Sequence, residues 1–362
     1  MSAEASDMSS WLLMGLPGVA YLTGVADAAW TAIGLAIGTY LNWLIVAKRL
    51  RRYTVVAGNS ITIPEFFSNR YRDKSRILVA VSAIFIVIFF IPYTASGFAA
   101  CGKLFSTLFG VSYVPAMIVS AIVIVAYTAL GGFSAASTTD LIQSIVMSFA
   151  LICVVLFGVK PAGGTDVILS QAGELPGYLS MTQTYMNGEA TEYGAIKIAS
   201  MLAWGLGYFG MPHILLRFMA IEDEKKIKIS RRIATVWVVI SMSVAIFIGI
   251  VGNNLSRNGA LQVLEGSDSE KLIITLGTLM SKSGFLGILV AGLIMSGILA
   301  CTMSTADSQL LAASSSISED LLKKVFHLEI KEKTSLLAAR ATVLVISILG
   351  VFMAMDPESS VF

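Results

Sequence analysis

The sequence is poor in charge. Lysine, arginine, aspartate and glutamate make up 13% of its 362 residues, about half the share found in a soluble domain. Hydrophobic residues make up 56%, and the mean hydropathy is +0.80. A soluble globular domain is thereby excluded, and an integral membrane protein with many spans is expected. Cysteine is scarce too. Cys101, Cys153 and Cys301 each sit in or beside an apolar run. They read as small packing residues and not as a disulfide framework or a metal site. Two histidines, His213 and His327, are too few for most metal-centred chemistry. The polar N-terminus lacks the basic n-region of a signal peptide. The hydrophilic segments hold no nucleophile–base pair, metal-ligand spacing or phosphate loop, so an enzyme is not expected. Nor is a nucleic-acid partner, an organic cofactor or an obligate protein partner.

What is present is a series of long apolar runs. A helix needs about 20 apolar residues to cross the hydrocarbon core, and the pattern predicts nine spans: 11–23, 28–47, 77–104, 114–130, 141–159, 195–220, 233–252, 285–305 and 335–355. The seventh is a clean run of Val, Ile, Met and Phe and is expected to face lipid. The second half of the eighth, continuing over 296–318, is rich in Ser, Thr, Ala and Cys. Such residues allow close helix packing or face a wet cavity. The basic residues cluster between spans two and three (Arg49, Arg51, Arg52), six and seven (Lys225, Lys228, Arg231, Arg232) and eight and nine (Lys323, Lys324). The intervening segments 105–113, 160–194 and 253–284 are weakly basic, and 160–194 is acidic on balance. The positive-inside rule puts the basic loops and the start of span one in the cytoplasm. Nine spans then carry the C-terminus outside.

Two of the apolar runs are interrupted alike. Trp11-Leu-Leu-Met-Gly15-Leu-Pro17-Gly18 follows a polar patch, Ser6-Asp7-Met8-Ser9-Ser10. Far along the chain comes Trp204-Gly205-Leu-Gly207-Tyr208-Phe-Gly210-Met-Pro212. Broken helices expose backbone amides and carbonyls, which the membrane interior tolerates only where they line a cavity or a site. A matched pair, one in each half, points to a secondary transporter with inverted repeats and a substrate site near the midplane.

Individual residues admit two readings each. Asp7 serves a coupling cation, or it is an interfacial N-cap beside Ser6 and Ser9. Ser304 and Thr305 offer adjacent hard oxygens to a small cation, or they bond back to their own helix. Trp204, Tyr208 and Tyr127 wall a pocket, or they pack in a core or an interfacial belt. Trp204 and Tyr208 are four residues apart on one face and flank the second break. Asp140 and Gln143 follow a Gly131-Gly132-Phe133 break and are expected to cap the start of span five. Asp307, Glu319 and Asp320 are expected to be interfacial or cytoplasmic.

The stretches ASDMSSWLLMGLPG, YTALGGF with its following TD and Q, WGLGYFGMPHILLRFMA and MSTADSQLL resemble the sodium/solute symporter family, in order and spacing through essentially the whole chain. The resemblance implies an all-α, leucine-transporter-like fold in one transmembrane domain, 1–362, built of two inverted five-helix repeats. The first repeat would occupy about 1–160 and the second about 194–362. It implies sodium-coupled solute uptake by alternating access at the inner (plasma) membrane, with sodium as the co-transported ion and L-proline as the expected solute. Another amino acid or small carboxylate, or a symporter-like solute sensor, are the alternatives. The matching sodium positions are Ala5, Met8 and Cys301 through backbone oxygens and Ser304 and Thr305 through hydroxyls, with Asp7 in support. The matching substrate positions are Trp204, Tyr208, Pro212, Tyr127, Ser9 and Trp11, and Gly15 matches a further sensitive position. Cys301 stands where family relatives carry alanine, and Ser10 replaces a glycine. Family members also begin with an extra helix and continue beyond span nine, so the chain is expected to be truncated at both ends, with the tenth core helix absent.

Overall fold

The computed structural model describes residues 2–328 and 331–356. Helix α1 (Ser2–Asp7) ends in an irregular step at Met8 and Ser9. The chain then resumes as a π turn at Trp11–Gly15 and continues as α2 (Leu16–Thr23). Helix α3 (Val25–Leu41) runs through a second π turn, Asn42–Ala47, into the basic α4 (Lys48–Val56). A short α5 (Ile63–Tyr71) precedes two long helices, α6 (Ile77–Phe109) and α7 (Tyr113–Val159). Helix α7 has 47 residues, about 70 Å at 1.5 Å per residue and twice the hydrocarbon thickness. It bends at Gly132, whose φ of 65° and ψ of −173° suit only glycine. It therefore supplies both the fourth and the fifth expected spans.

The segment after α7 was expected to be a plain acidic loop. It folds into α8 (Thr165–Gly173) and a hairpin of β1 (Gln183–Met186) and β2 (Glu189–Glu192), with Met186 opposite Glu189. Asn187 and Gly188 both have positive φ, the signature of a tight two-residue hairpin turn. Tyr178 ties this segment down. Its carbonyl accepts from the Val25 amide at 2.8 Å, and its hydroxyl donates to the Ala20 carbonyl at 2.7 Å.

In the second half, α9 (Ala195–Ala203) tightens into a 3-10 turn at Trp204–Phe209 and continues as α10 (Pro212–Ala220), bent by 43°. Helix α11 (Ile227–Arg257), the short apolar α12 (Leu272–Ser281), α13 (Phe285–Ser315) with a π turn at Ser316–Val325, and α14 (Glu332–Met353) follow. Among the described residues, six continuous helices are long and apolar enough to span a bilayer, and the bent α9–α10 pair makes a seventh. With α7 serving twice and the broken α1–α2 run as the first, the nine expected spans each correspond to helix.

Helix α13 lies at the centre and packs on α7, α6 and α12. Its small side chains are buried from Gly297 through Ser314, including Cys301, Ser304, Thr305 and Asp307. The lipid-facing expectation for the seventh span holds for one face only. Val236, Val239 and Ile240 of α11 are exposed, whereas Ala245, Ile248 and Val251 are buried against α2 and its neighbours. The exposed isoleucines, valines and phenylalanines of α6, α7 and α11 are the surface a lipid bilayer covers.

Candidate functional site

The first break does not fall at Gly15-Leu-Pro17-Gly18, which is helical, but in the polar patch before it. Ser9 donates its amide to the Asp7 carbonyl at 2.9 Å and not to Ala5, and the Leu12 amide takes the Ser9 carbonyl at 3.0 Å and not that of Met8. The carbonyls of Ala5 and Met8 thus lose their helical partners. The Ser9 hydroxyl oxygen accepts the Trp11 amide at 3.2 Å, so Ser9, and not Asp7, caps the resumed helix. Asp7 is left with a buried carboxylate oxygen, Oδ2, that has no partner. Glu4, on the same half-helix, is buried and accepts the Trp43 indole N–H at 2.9 Å. Asp7 ends this short helix and Glu4 stands one turn before it, so the Asp7 charge adds to the negative carbonyl end of the helix dipole. A carboxylate in the membrane interior costs about 2.5–3.5 kcal/mol on insertion scales unless a partner offsets it.

The freed Ala5 carbonyl meets α13. The Ser304 hydroxyl donates to it at 2.7 Å, across 299 residues of chain, and also approaches the Cys301 carbonyl at 3.1 Å. One hydroxyl hydrogen is thus shared between two carbonyls. The Thr305 hydroxyl beside it is buried and has no partner; it borders a narrow polar crevice with Ser9, Ser10 and Gln309. Hard oxygens converging where one proton stands between them are the donor set a small cation needs.

The second break is held against α3. The Asn42 amide donates to the Tyr208 carbonyl at 2.8 Å. Gly205 lies so close to Gly34 that a Cβ there would be 2.0 Å from the Gly34 carbonyl oxygen. Close backbone approach, and not only helix breaking, therefore requires this glycine.

Between the two breaks is a cavity of about 590 Å³. Asp7, Ser9, Trp11, Trp204 and Tyr208 line it, with Met8. The rings of Trp11 and Trp204 are 5.5 Å apart at an interplanar angle of 41°, an aromatic wall contributed by both halves of the chain.

Two of the substrate positions expected from the sequence lie elsewhere. Tyr127 does not line the cavity. Its hydroxyl donates to the Asp307 carboxylate at 2.5 Å and approaches the Met303 carbonyl at 3.1 Å. Pro212 is buried at the first turn of α10, where its missing N–H costs nothing; it sets the bend and does not wall the cavity. Sequence reasoning missed Phe89, Pro92, Tyr93 and Ser96 of α6, which do line it. A proline followed by a tyrosine inside an apolar span was the available signal.

Asp140 and Asp307 also depart from expectation. Asp140 does not cap a helix: it lies inside α7, fully buried, and pairs with the Arg217 guanidinium of α10. Arg217 further donates to Ser2 at 3.0 Å, to Ser308 at 2.8 Å and to the His213 carbonyl at 2.7 Å. Asp307 is buried and accepts from Ser308 at 3.0 Å as well as from Tyr127. Asp320 is buried too, accepting the Thr62 hydroxyl at 2.7 Å. The Arg217 network joins α1, α7, α10 and α13 on the basic side of the breaks, away from the cavity.

A family model described as the sodium:solute symporter family matches residues 1–362. The chain is 41% identical over 368 residues to the sodium/proline symporter of Haemophilus influenzae and 38% over 366 residues to that of Escherichia coli; in both cases all of this chain aligns with 70% of the relative. It is 37% identical over 361 residues to the osmoregulated proline transporter of Bacillus subtilis, again with 70% of the relative covered. Among solved structures, a Na+-coupled sialic acid symporter in its substrate-bound outward-open state superposes with a TM-score of 0.78 at 17% identity, over 98% of this chain and 72% of that one. MhsT in complex with L-phenylalanine superposes with a TM-score of 0.65 at 14% identity, over 98% and 78%. The fold is thus the leucine-transporter-like one. The broken helices, the cavity between them and a full-length match at this level of identity lead to one assignment: the chain belongs to the sodium:solute symporter family.

Proposed function

We propose that this protein is a sodium-coupled symporter of L-proline that works by alternating access in the inner membrane. The observation that carries the reading is the meeting of Ala5, Cys301 and Ser304 oxygens beside the orphaned Thr305 hydroxyl, one helical step from a buried carboxylate, Asp7, whose Oδ2 has no partner. Sodium, as cargo, takes the place of the shared hydroxyl proton among these oxygens and of the missing partner to the Asp7 charge. The Met8 carbonyl, released by the same step, completes the donor set. Proline then binds in the cavity, its carboxylate toward the positive, N-terminal end of the helix that restarts after Ser9 and its ring against Trp11, Trp204 and Tyr208. The two cargoes stabilise the same arrangement, so each raises the affinity of the other by one factor. The names of the relatives at 37–41% identity support proline over other solutes.

The test is uptake of labelled L-proline into proteoliposomes with an imposed sodium gradient. Uptake in sodium and its loss in choline are expected. Ser304→Ala should raise the half-saturating sodium concentration at least about tenfold, about 1.4 kcal/mol, and Ser304→Thr should restore part of it. Equal uptake in sodium and choline would sink the coupling. Uptake of other amino acids but not proline would sink the solute assignment alone.

A further inference from the structure

A second cavity, of about 490 Å³, lies far from the transport site, between the second half of α7 and the N-terminal half of α11. Its walls are almost wholly apolar: Leu151 and Ile152 from α7, and Val236, Ile240 and Val244 from α11. The one polar pair across it is already satisfied, since the Trp237 indole N–H donates to the Ser148 hydroxyl at 2.8 Å. At one end stands Arg232. From Arg232 to Val244 the groove follows α11 for about 18 Å at 1.5 Å per residue, a little more than half the hydrocarbon thickness of about 30 Å. It is therefore open to the acyl region along one leaflet, with a cation at the headgroup end.

The electrostatics of that end are one-sided. Lys228 and Arg232 are exposed and four residues apart on one face of α11. Among the described residues, no salt bridge engages Lys228, Arg231 or Arg232; of the carboxylates just before α11, Glu222 pairs with Lys226, Glu224 with Arg52, and Asp223 accepts the Lys225 amide at 2.8 Å. The first turn of α11 holds no acidic residue. Cations there oppose the positive end of the helix dipole, and an anion relieves both. An apolar trough ending in uncompensated cations at the basic face of a membrane protein is complementary to one class of ligand.

We propose that this groove is a binding site for an anionic phospholipid, with one acyl chain between α7 and α11 and its phosphate on Arg232 and Lys228. The site is separate from the solute cavity and does not rest on the identity of the solute.

Trp237 in the groove wall provides the readout. The whole chain would be placed in phosphatidylcholine nanodiscs carrying a minor fraction of acyl-brominated phosphatidylglycerol, or the same fraction of acyl-brominated phosphatidylcholine. Tryptophan quenching by the anionic lipid should exceed that by the zwitterionic one, corresponding to an enrichment of at least about fivefold, the factor each surface cation supplies. The double variant Arg232→Gln with Lys228→Gln should abolish the excess, and Arg232→Lys should keep most of it. Trp237→Phe should remove the excess signal while leaving quenching of the other tryptophans. Equal quenching by the two lipids in the unmodified protein would overturn the proposal, as would an excess that survives the double variant Arg232→Gln with Lys228→Gln, or Trp237→Phe. A Trp237 that fully brominated phosphatidylcholine fails to quench would also overturn it, because the groove would then be covered by protein, such as a second copy of the chain.

Discussion

A single methyl group at Gly205 tests how the second break is held. A Cβ there would lie 2.0 Å from the Gly34 carbonyl oxygen, and one on Gly38 would lie 2.3 Å from the Gly205 carbonyl oxygen. Ordinary contact begins at 3.4 Å, so in Gly205→Ala the two backbones must separate by about 1.4 Å (3.4 minus 2.0). The obstacle is main chain on a regular helix, which cannot swing aside as a side chain would. Overpacking of this kind costs about 1–3 kcal/mol. The displaced segment carries Trp204 and Tyr208, both in the cavity wall. A 1 Å misplacement of a positioned group costs on the order of a hundredfold in an enzymatic rate, and a transport site built on the same positioning should lose at least about tenfold in solute KM. The assay is paired: thermal unfolding of the purified protein followed by size-exclusion chromatography, and solute KM in proteoliposomes at saturating sodium. Gly207→Ala is the internal comparison. It lies in the same break and lines the cavity, but nothing sits within 4 Å of its Cβ. It should melt like the unmodified protein and only narrow the cavity. Gly205→Ala that matches the unmodified protein in both melting and KM would refute the reasoning.

Other outcomes follow from the same geometry. Tyr127→Phe should leave solute KM unchanged yet destabilise by about 1–3 kcal/mol, because a buried acceptor on Asp307 loses its donor; Tyr93→Phe should do the reverse. A raised KM in Tyr127→Phe at normal stability would return Tyr127 to the cavity. Arg217→Met should cost about 3–5 kcal/mol by leaving Asp140 buried and unpaired, and the double variant with Asp140→Leu should recover much of it; a double variant no better than the single would mean the pair is not coupled. Asp7→Asn keeps size and removes charge, so the half-saturating sodium concentration should rise about tenfold, about 1.4 kcal/mol of lost attraction, with a smaller change in solute KM once sodium saturates. A change confined to solute KM would place Asp7 with the solute and not with sodium. Lys103→Met should destabilise the turn at Gly266–Lys271 by removing the cation that pairs with the buried Glu270 at 2.6 Å, seen as faster amide exchange around residues 266–271.

Spans and breaks were legible because the bilayer imposes one-dimensional rules. An apolar run of fixed length, a basic loop on one side and glycine within a greasy segment each leave a mark on the chain itself. The Gly131-Gly132 break was legible for the same reason. Finer placement was not. Tyr93 and Tyr127 are both aromatics in apolar helices, and only the rotation and packing of α6 and α7 decide which faces the cavity. The first break was expected at Gly15-Leu-Pro17-Gly18. A π turn before Pro17 absorbs the proline without ending the helix, and the Ser9 hydroxyl restarts it upstream.

Asp140 and Asp307 mark the sharpest division between what the chain states and what the fold decides. Each stands near the end of an apolar run, so charge alone suggests a cap or an interface. Burial became affordable only because Arg217 arrives from a helix 77 residues further on and because Tyr127 and Ser308 complete the lone pairs of Asp307. The sequence by itself determined the membrane class, the series of spans and the two interrupted helices, since hydropathy acts locally. Only the tertiary structure decided which oxygens of α1 meet Ser304, which aromatics wall the cavity and which carboxylates are paired. Those are contacts between residues up to 299 apart, and no local pattern encodes the rotation of one helix against another.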